Sequence, residues 1–303
     1  MTRSFAILDV FTDTALSGNP LAVVEDGTGL STARMQAIAG EFNLSETVFV
    51  LPPQNPIHAA AIRIFTPKVE LPFAGHPTVG TAVLLALAKR ASGVDDRSMM
   101  FVMEEKVGPV RCGVTLRDAE IGHCTFDLPK LPTATDLPAD QDRLAAALDL
   151  TSAEIGMENH LPSAFDAGVP YCFVPVRDQA TVDRARLRLD LCEALFPADN
   201  MPCFYVYARE ATAADHHFYA RMLAPFSGID EDPATGSAVA ALAGVIARFD
   251  QPPGGSHRYT VEQGYLMGRP SLIGLEIDMN DGGVEAARLS GDAVVVARGI
   301  LSL

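Results

Sequence analysis

Basic residues are scarce in this chain: 23 lysines and arginines stand against 38 aspartates and glutamates, a net charge of −15. So acidic a surface repels phosphate backbones and anionic lipid, which argues against nucleic acid and membrane as partners. An anionic ligand would have to be held by local donors against that field. Cysteine is sparse as well. Cys112, Cys124, Cys172, Cys192 and Cys203 form no C-x-x-C pair and have no histidine at ligand spacing. Reduced, mostly buried thiols in a cytoplasmic protein are expected, and no metal site. Long apolar runs are missing too: AVLLALA at 82–88 ends at Lys89 and Arg90, too short to span a bilayer. The opening MTRSFAILDVFTD reaches acidic residues early and does not read as a signal peptide. There is no glycine-rich nucleotide loop, and Ser237 lies in T-G-S-A rather than in a G-x-S-x-G elbow, so nucleotide and serine-hydrolase chemistry find no support.

What is present is repetition. FAGHPTVGTAV at 73–83 returns as DEDPATGSAV at 230–239, and the lead-in RIFTP at 63–67 returns as RMLAP at 221–225. A gapless alignment sets His76 on Asp232, Pro77 on Pro233 and Gly80 on Gly236. With 303 residues, 48% of them hydrophobic, the chain has material for two domains with buried cores. Strand-like runs recur throughout, among them SFAILDVF (4–11), LAVVE (21–25), TVFVL (47–51), GPVRCGVTL (108–116), CFYVYA (203–208) and RYTVEQG (258–264). Helices are expected over 31–42, over 140–150 and after each copy of the phrase. The two after the phrase are apolar all round, which demands burial on every side. Two sheet-wrapped halves, each with its own central helix, are therefore expected, with the proline-rich 117–140 as the crossing between them.

Proline favours the first helical position, which makes His76 and Asp232 the expected N-caps. The small residues that follow leave first-turn N–H groups approachable, a ready site for a carboxylate. Asp232 is an excellent cap in its own right and needs no further role. Histidine is a poor cap, so His76 points to proton traffic or substrate hydrogen bonding. Glu231 beside Asp232 is a like-charge neighbour able to raise a pKa. Glu46, in NLSETVFVLP, would alone be read as a solvated strand-edge residue. Asn19 lies in a Gly-Asn-Pro turn whose amide could reach a ligand, although most such turns are only turns. EQGYLMGRPS at 262–271, with Gln263, is either a hairpin connection or a binding loop.

Taken together, DVFTDTALSGNPLAVV (9–24), FNLSETVFV (42–50), RIFTPKVELPFAGHPTVGTA (63–82), EDPATGSA (231–238), QGYLMGRPS (263–271) and GDAVVVARG (291–299) resemble the PhzF family of phenazine-biosynthesis isomerase-like proteins. The resemblance runs nearly end to end. It implies an α/β (α+β) fold of the diaminopimelate-epimerase type: two pseudo-symmetric halves, each a curved, mostly antiparallel sheet around a central helix, with the site in the cleft between them. The halves would be 1–125, completed by 292–303, and 126–291. It further implies Glu46 as the acid/base, with His76 and Asp232 holding the substrate. Asn19, Gly75, Thr235, Gly236, Ser237 and Gln263 would be substrate-binding, no cofactor or metal would be needed, and the assembly would be a homodimer. The family's best-known activity is isomerisation of trans-2,3-dihydro-3-hydroxyanthranilate. Related two-thiol epimerases carry a cysteine in each half, but 70–82 and 228–240 contain none, which disfavours that mechanism. A glutamate serving as both acid and base needs a raised pKa, which an apolar cleft would supply. The readings carried forward are thus a cofactor-independent isomerase acting on a small anionic substrate, a small-acid epimerase using carboxylates, and a non-catalytic binding protein of the same fold.

Overall fold

Valine, isoleucine and the aromatics cluster in short runs, and in the computed structural model these runs are strands; it describes residues 2–94, 96–137, 140–196, 202–227, 229–280 and 283–303. By its contacts the chain divides into two units, Met1–Pro129 with Arg288–Leu303, and Lys130–Ala287.

The first unit holds β1 (Thr2–Val10), β2 (Asn19–Val24), α1 (Thr32–Phe42), β3 (Glu46–Leu51), β4 (Ala60–Phe65), β5 (Glu70–Leu71), α2 (Gly75–Ala91), β6 (Ser98–Glu105), β7 (Gly108–Leu116) and β8 (Ile121–Asp127). It also takes Arg288 onward from the closing strand β17 (Gly283–Ser302). Each of β1, β2, β3, β4, β6, β7, β8 and β17 pairs on both sides, so the series returns to its start and leaves no open edge. Only β2–β3 and β4–β6 are parallel. Inside the ring lies α2, buried from Gly75 to Leu84 and again at Ala86 and Leu87, as an all-apolar helix requires. Gly80 makes the fit possible: a Cβ there would stand 2.6 Å from Leu21 Cδ2 and 2.9 Å from Val10 Cγ2.

The second unit runs β9 (Thr133–Thr135), α3 (Gln141–Ala147), β10 (Ser163–Asp166), β11 (Pro170–Pro175), α4 (Gln179–Arg184), α5 (Leu189–Leu195), β12 (Cys203–Ala208), β13 (Phe218–Ala224), β14 (Ile229–Asp232), α6 (Gly236–Phe249), β15 (Gly255–Gln263) and β16 (Ser271–Asn280). Its pairing repeats the first unit's series. β11–β12 is parallel, β12–β13 and β13–β14 antiparallel, β13–β15 parallel and β15–β16 antiparallel. Helix α6 is buried from Ala238 to Ile246.

The duplication extends to single side chains. Arg63 grips Glu70 through two bonds of 2.7 and 2.8 Å, and Arg221 grips Glu231 at 2.9 and 2.7 Å. Glu104 accepts from the amides of Gln54 and Asn55 and bonds His58 Nδ1. Glu262 does the same with Thr212, Ala213 and His216. Both glutamates end in parallel ladders of the same register, Ala61 opposite Glu104 and Tyr219 opposite Glu262.

Two expectations need correction. The phrase does not superimpose as its letters do. Leu71 pairs with Ile64 and Asp232 with Met222, so by strand register Asp232 stands where Leu71 does, not where His76 does. Neither His76 nor Asp232 is an N-cap. Helix α2 begins at Gly75 with Ala74 as cap, so Pro77 falls in the first turn, where an absent N–H costs nothing. Helix α6 begins at Gly236 with Thr235 as cap, while Asp232, ahead of Pro233, stays extended at the end of β14. Second, 117–140 is not merely a crossing: it contains β8, whose Gly122, Cys124 and Phe126 alternate inward.

Candidate active site

In the first unit, the parallel pairing of β2 with β3 sets Leu21 opposite Glu46, and Asn19 opens β2. Both side chains thus belong to adjacent strand starts, and the first turn of α2 brings His76 to them. His76 Nε2 lies 3.2 Å from Glu46 Oε2. Asn19 Nδ2 lies 3.4 Å from His76 Nδ1. Asn19 is fully buried, His76 is 4% exposed, and the Glu46 side chain keeps 12%.

These contacts select a tautomer. An amide NH2 only donates, so Asn19 requires Nδ1 to accept and leaves the proton on Nε2, the ring nitrogen nearest Glu46. Burial pushes the imidazole down to about 3, which agrees with a neutral ring. The His76–Glu46 contact is therefore a close approach of an uncharged ring to the acid, not an ion pair. Glu46 itself is not duplicated. Phe49 pairs with Arg63 as Val206 pairs with Arg221, and counting back three residues places Cys203 at the equivalent position.

In the second unit, Asp232 ends β14 and is 6% exposed. The Thr235 hydroxyl donates to its Oδ2 at 2.5 Å. Gln263 Nε2 donates to the Asp232 carbonyl at 2.8 Å and to Thr235 Oγ1 at 2.9 Å, while its Oε1 accepts from the Tyr205 hydroxyl and the Thr235 amide, both at 3.3 Å. Gln263 is fully buried with both ends of its amide engaged. In the structure it braces Asp232 and Thr235. Ser237, second in α6, bonds the Tyr171 hydroxyl at 2.7 Å. Gly75 and Gly236 open the two central helices, and the N-cap residues Ala74 and Thr235 make no side-chain capping bond.

The sequence matches the family model described as Phenazine biosynthesis-like protein over residues 8–299. The chain belongs to the PhzF family. As a member of the PhzF family it is an isomerase. It is 50% identical to an uncharacterized isomerase of Mesorhizobium japonicum over 303 residues, 99% of both chains. It is 35% identical to the trans-2,3-dihydro-3-hydroxyanthranilate isomerase of Pseudomonas aeruginosa, over 97% of this chain and 98% of that one. A Bacillus anthracis PhzF-family structure covers all of both chains with a TM-score of 0.87 at 22% identity, and a probable proline racemase from Agrobacterium radiobacter reaches 0.64 at 12%. These two show a shared fold. Among the described residues no helix is long and apolar enough to cross a membrane.

Sequence reasoning did not find Tyr205, Tyr171, Thr78 or Glu105. The two tyrosines sit in aromatic strands whose composition explains them as core. Thr78 lies inside the repeated phrase, where it reads only as one of several small residues, Glu105 lies in no motif, and only the tertiary structure brings them together.

Proposed function

We propose that this PhzF-family isomerase moves a proton within a small carboxylated molecule without a cofactor. The Glu46 carboxylate takes the proton from one carbon, and the resulting acid returns it to another, so the substrate is rearranged with no net gain or loss of atoms. The substrate is trans-2,3-dihydro-3-hydroxyanthranilate or a related compound. The reading rests chiefly on the 3.2 Å contact between His76 Nε2 and Glu46 Oε2 in a sequestered setting. A neutral, buried histidine is suited to aiming an acid/base without competing for its proton. Asp232, braced by Gln263 and Thr235, is proposed to accept a hydrogen bond from a substrate amine or hydroxyl, and the helix starts to receive the carboxylate.

Glu46→Gln should abolish turnover while leaving ligand affinity within about tenfold, or ~1.4 kcal/mol. Turnover in deuterium oxide should place label at a new carbon. Unchanged turnover in that variant rejects the mechanism. Label confined to the original stereocentre would make the protein an epimerase, and binding with no label anywhere a non-catalytic binder.

A further inference from the structure

Glu105 closes β6 as Gln263 closes β15, and the two positions are equivalent. Ala61 lies opposite Glu104 and Tyr219 opposite Glu262 in parallel ladders, and each of these glutamates is followed by the residue in question. Each also reaches a threonine at the start of its unit's central helix. Gln263 Nε2 donates to Thr235, whose hydroxyl donates on to Asp232. In the first unit, Thr78 Oγ1 stands 2.7 Å from Glu105 Oε1 and 2.8 Å from the Ala74 carbonyl.

A threonine hydroxyl has one hydrogen. It cannot donate to a carbonyl and a carboxylate together at those distances. Both short contacts are hydrogen bonds only if one oxygen carries a proton of its own. The arrangement that satisfies them is Glu105 O–H to Thr78, and Thr78 O–H to Ala74, the same donor relay that Gln263 runs through Thr235. Among the described residues Glu105 Oε2 is buried without a hydrogen-bond partner, a poor place for an anion and a tolerable one for a neutral acid.

We propose that Glu105 is a permanently protonated acid at neutral pH, serving as the first unit's equivalent of Gln263, and that it is a positioning residue for the α2 turn that carries His76. Desolvation raises its pKa to about 8, against a smaller opposing effect from Thr78. The titratable group that interacts with it from a neighbouring strand is a thiol. Cys112 on β7 is held well above its ordinary value by hydrogen bonding with Cys124 on β8 and by burial, so this facing thiol stays uncharged; the Asp127 carboxylate acts on Cys112 more weakly. Among the described residues no cation bonds Glu105. Because the folded pKa lies above the ordinary 4.5, stability falls as pH rises from about 4.5 to about 8.

The consequence for turnover rests on the His76 reading above, whereas the protonation does not. The test is infrared difference spectroscopy on the full chain in deuterium oxide, wild type minus Glu105→Gln. A carboxylic-acid carbonyl band should be present at neutral pH and fade as pH passes about 8. Glu105→Gln should melt near the wild-type temperature at about pH 4 and increasingly above it from there to about pH 8, while Glu105→Ala melts well below Glu105→Gln throughout. Absence of the acid band, or a Gln variant as unstable as the Ala variant, overturns the proposal. If deuterium exchange fails in every chain, wild type included, the functional reading falls while the spectroscopic and melting results still decide the role of Glu105.

Discussion

His76 has no charge to lose at neutral pH, because burial pushes its imidazole down to about 3 and Asn19 donates to the nitrogen that would otherwise be protonated. An exposed histidine would titrate near 6.5. The His76 ring resonances should therefore stay constant in an NMR titration between about pH 5 and 8, the window in which an ordinary histidine moves. A shift in that window would mean an imidazolium facing Glu46 and would reverse the assigned tautomer. At Asp232 the same logic runs through neutral donors: the Thr235 hydroxyl bonds the carboxyl and Gln263 bonds the backbone carbonyl. Neutral hydrogen bonds orient a carboxyl while adding no charge that an anionic substrate must compete with.

At the scale of elements, the central helices reveal what the ring of strands demands of them. Gly80 sits in a helix interior, where alanine is intrinsically better by about 1 kcal/mol. Yet a Cβ would stand 2.6 Å from Leu21 and 2.9 Å from Val10, side chains of strands paired on both sides and unable to move outward cheaply. Overpacking of this kind costs about 1–3 kcal/mol, so Gly80→Ala should lower stability in urea unfolding. An equal or raised midpoint would show that the ring yields. Gly244 in α6 meets the same constraint, with the Phe165 ring 2.4 Å from its would-be Cβ.

For the whole molecule, the net charge of −15 opposes the approach of an anion. Salt screens that field over a Debye length of about 10 Å at 0.1 M. With a carboxylated substrate, kcat/KM should rise modestly as ionic strength goes from roughly 10 to 150 mM. A steep fall would show that local donors, not the global field, govern association. The duplicated clamps also belong to this scale. Arg63 with Glu70 and Arg221 with Glu231, like Glu104 with His58 and Glu262 with His216, show both units solving the same loop-anchoring problem with the same residues.

Local composition determined much of this protein by itself. The runs 108–116 and 203–208 are strands β7 and β12 residue for residue, and both all-apolar helices are buried, because burial is the only stable outcome for a helix with no polar face. Ser31 and Asp140 cap α1 and α3, a choice made within three residues of chain. Only the tertiary structure decided where the helices begin within the repeated phrase, since small residues and prolines are compatible with more than one start and strand register arbitrates. Contacts across long separations were equally out of reach: Glu46 meets His76, Tyr205 meets Gln263, and Thr78 meets Glu105 because strand pairing and a shared core bring their backbones together. A linear pattern records which side chains a segment prefers, and hydrogen bonds between segments exist only once those backbones are in place.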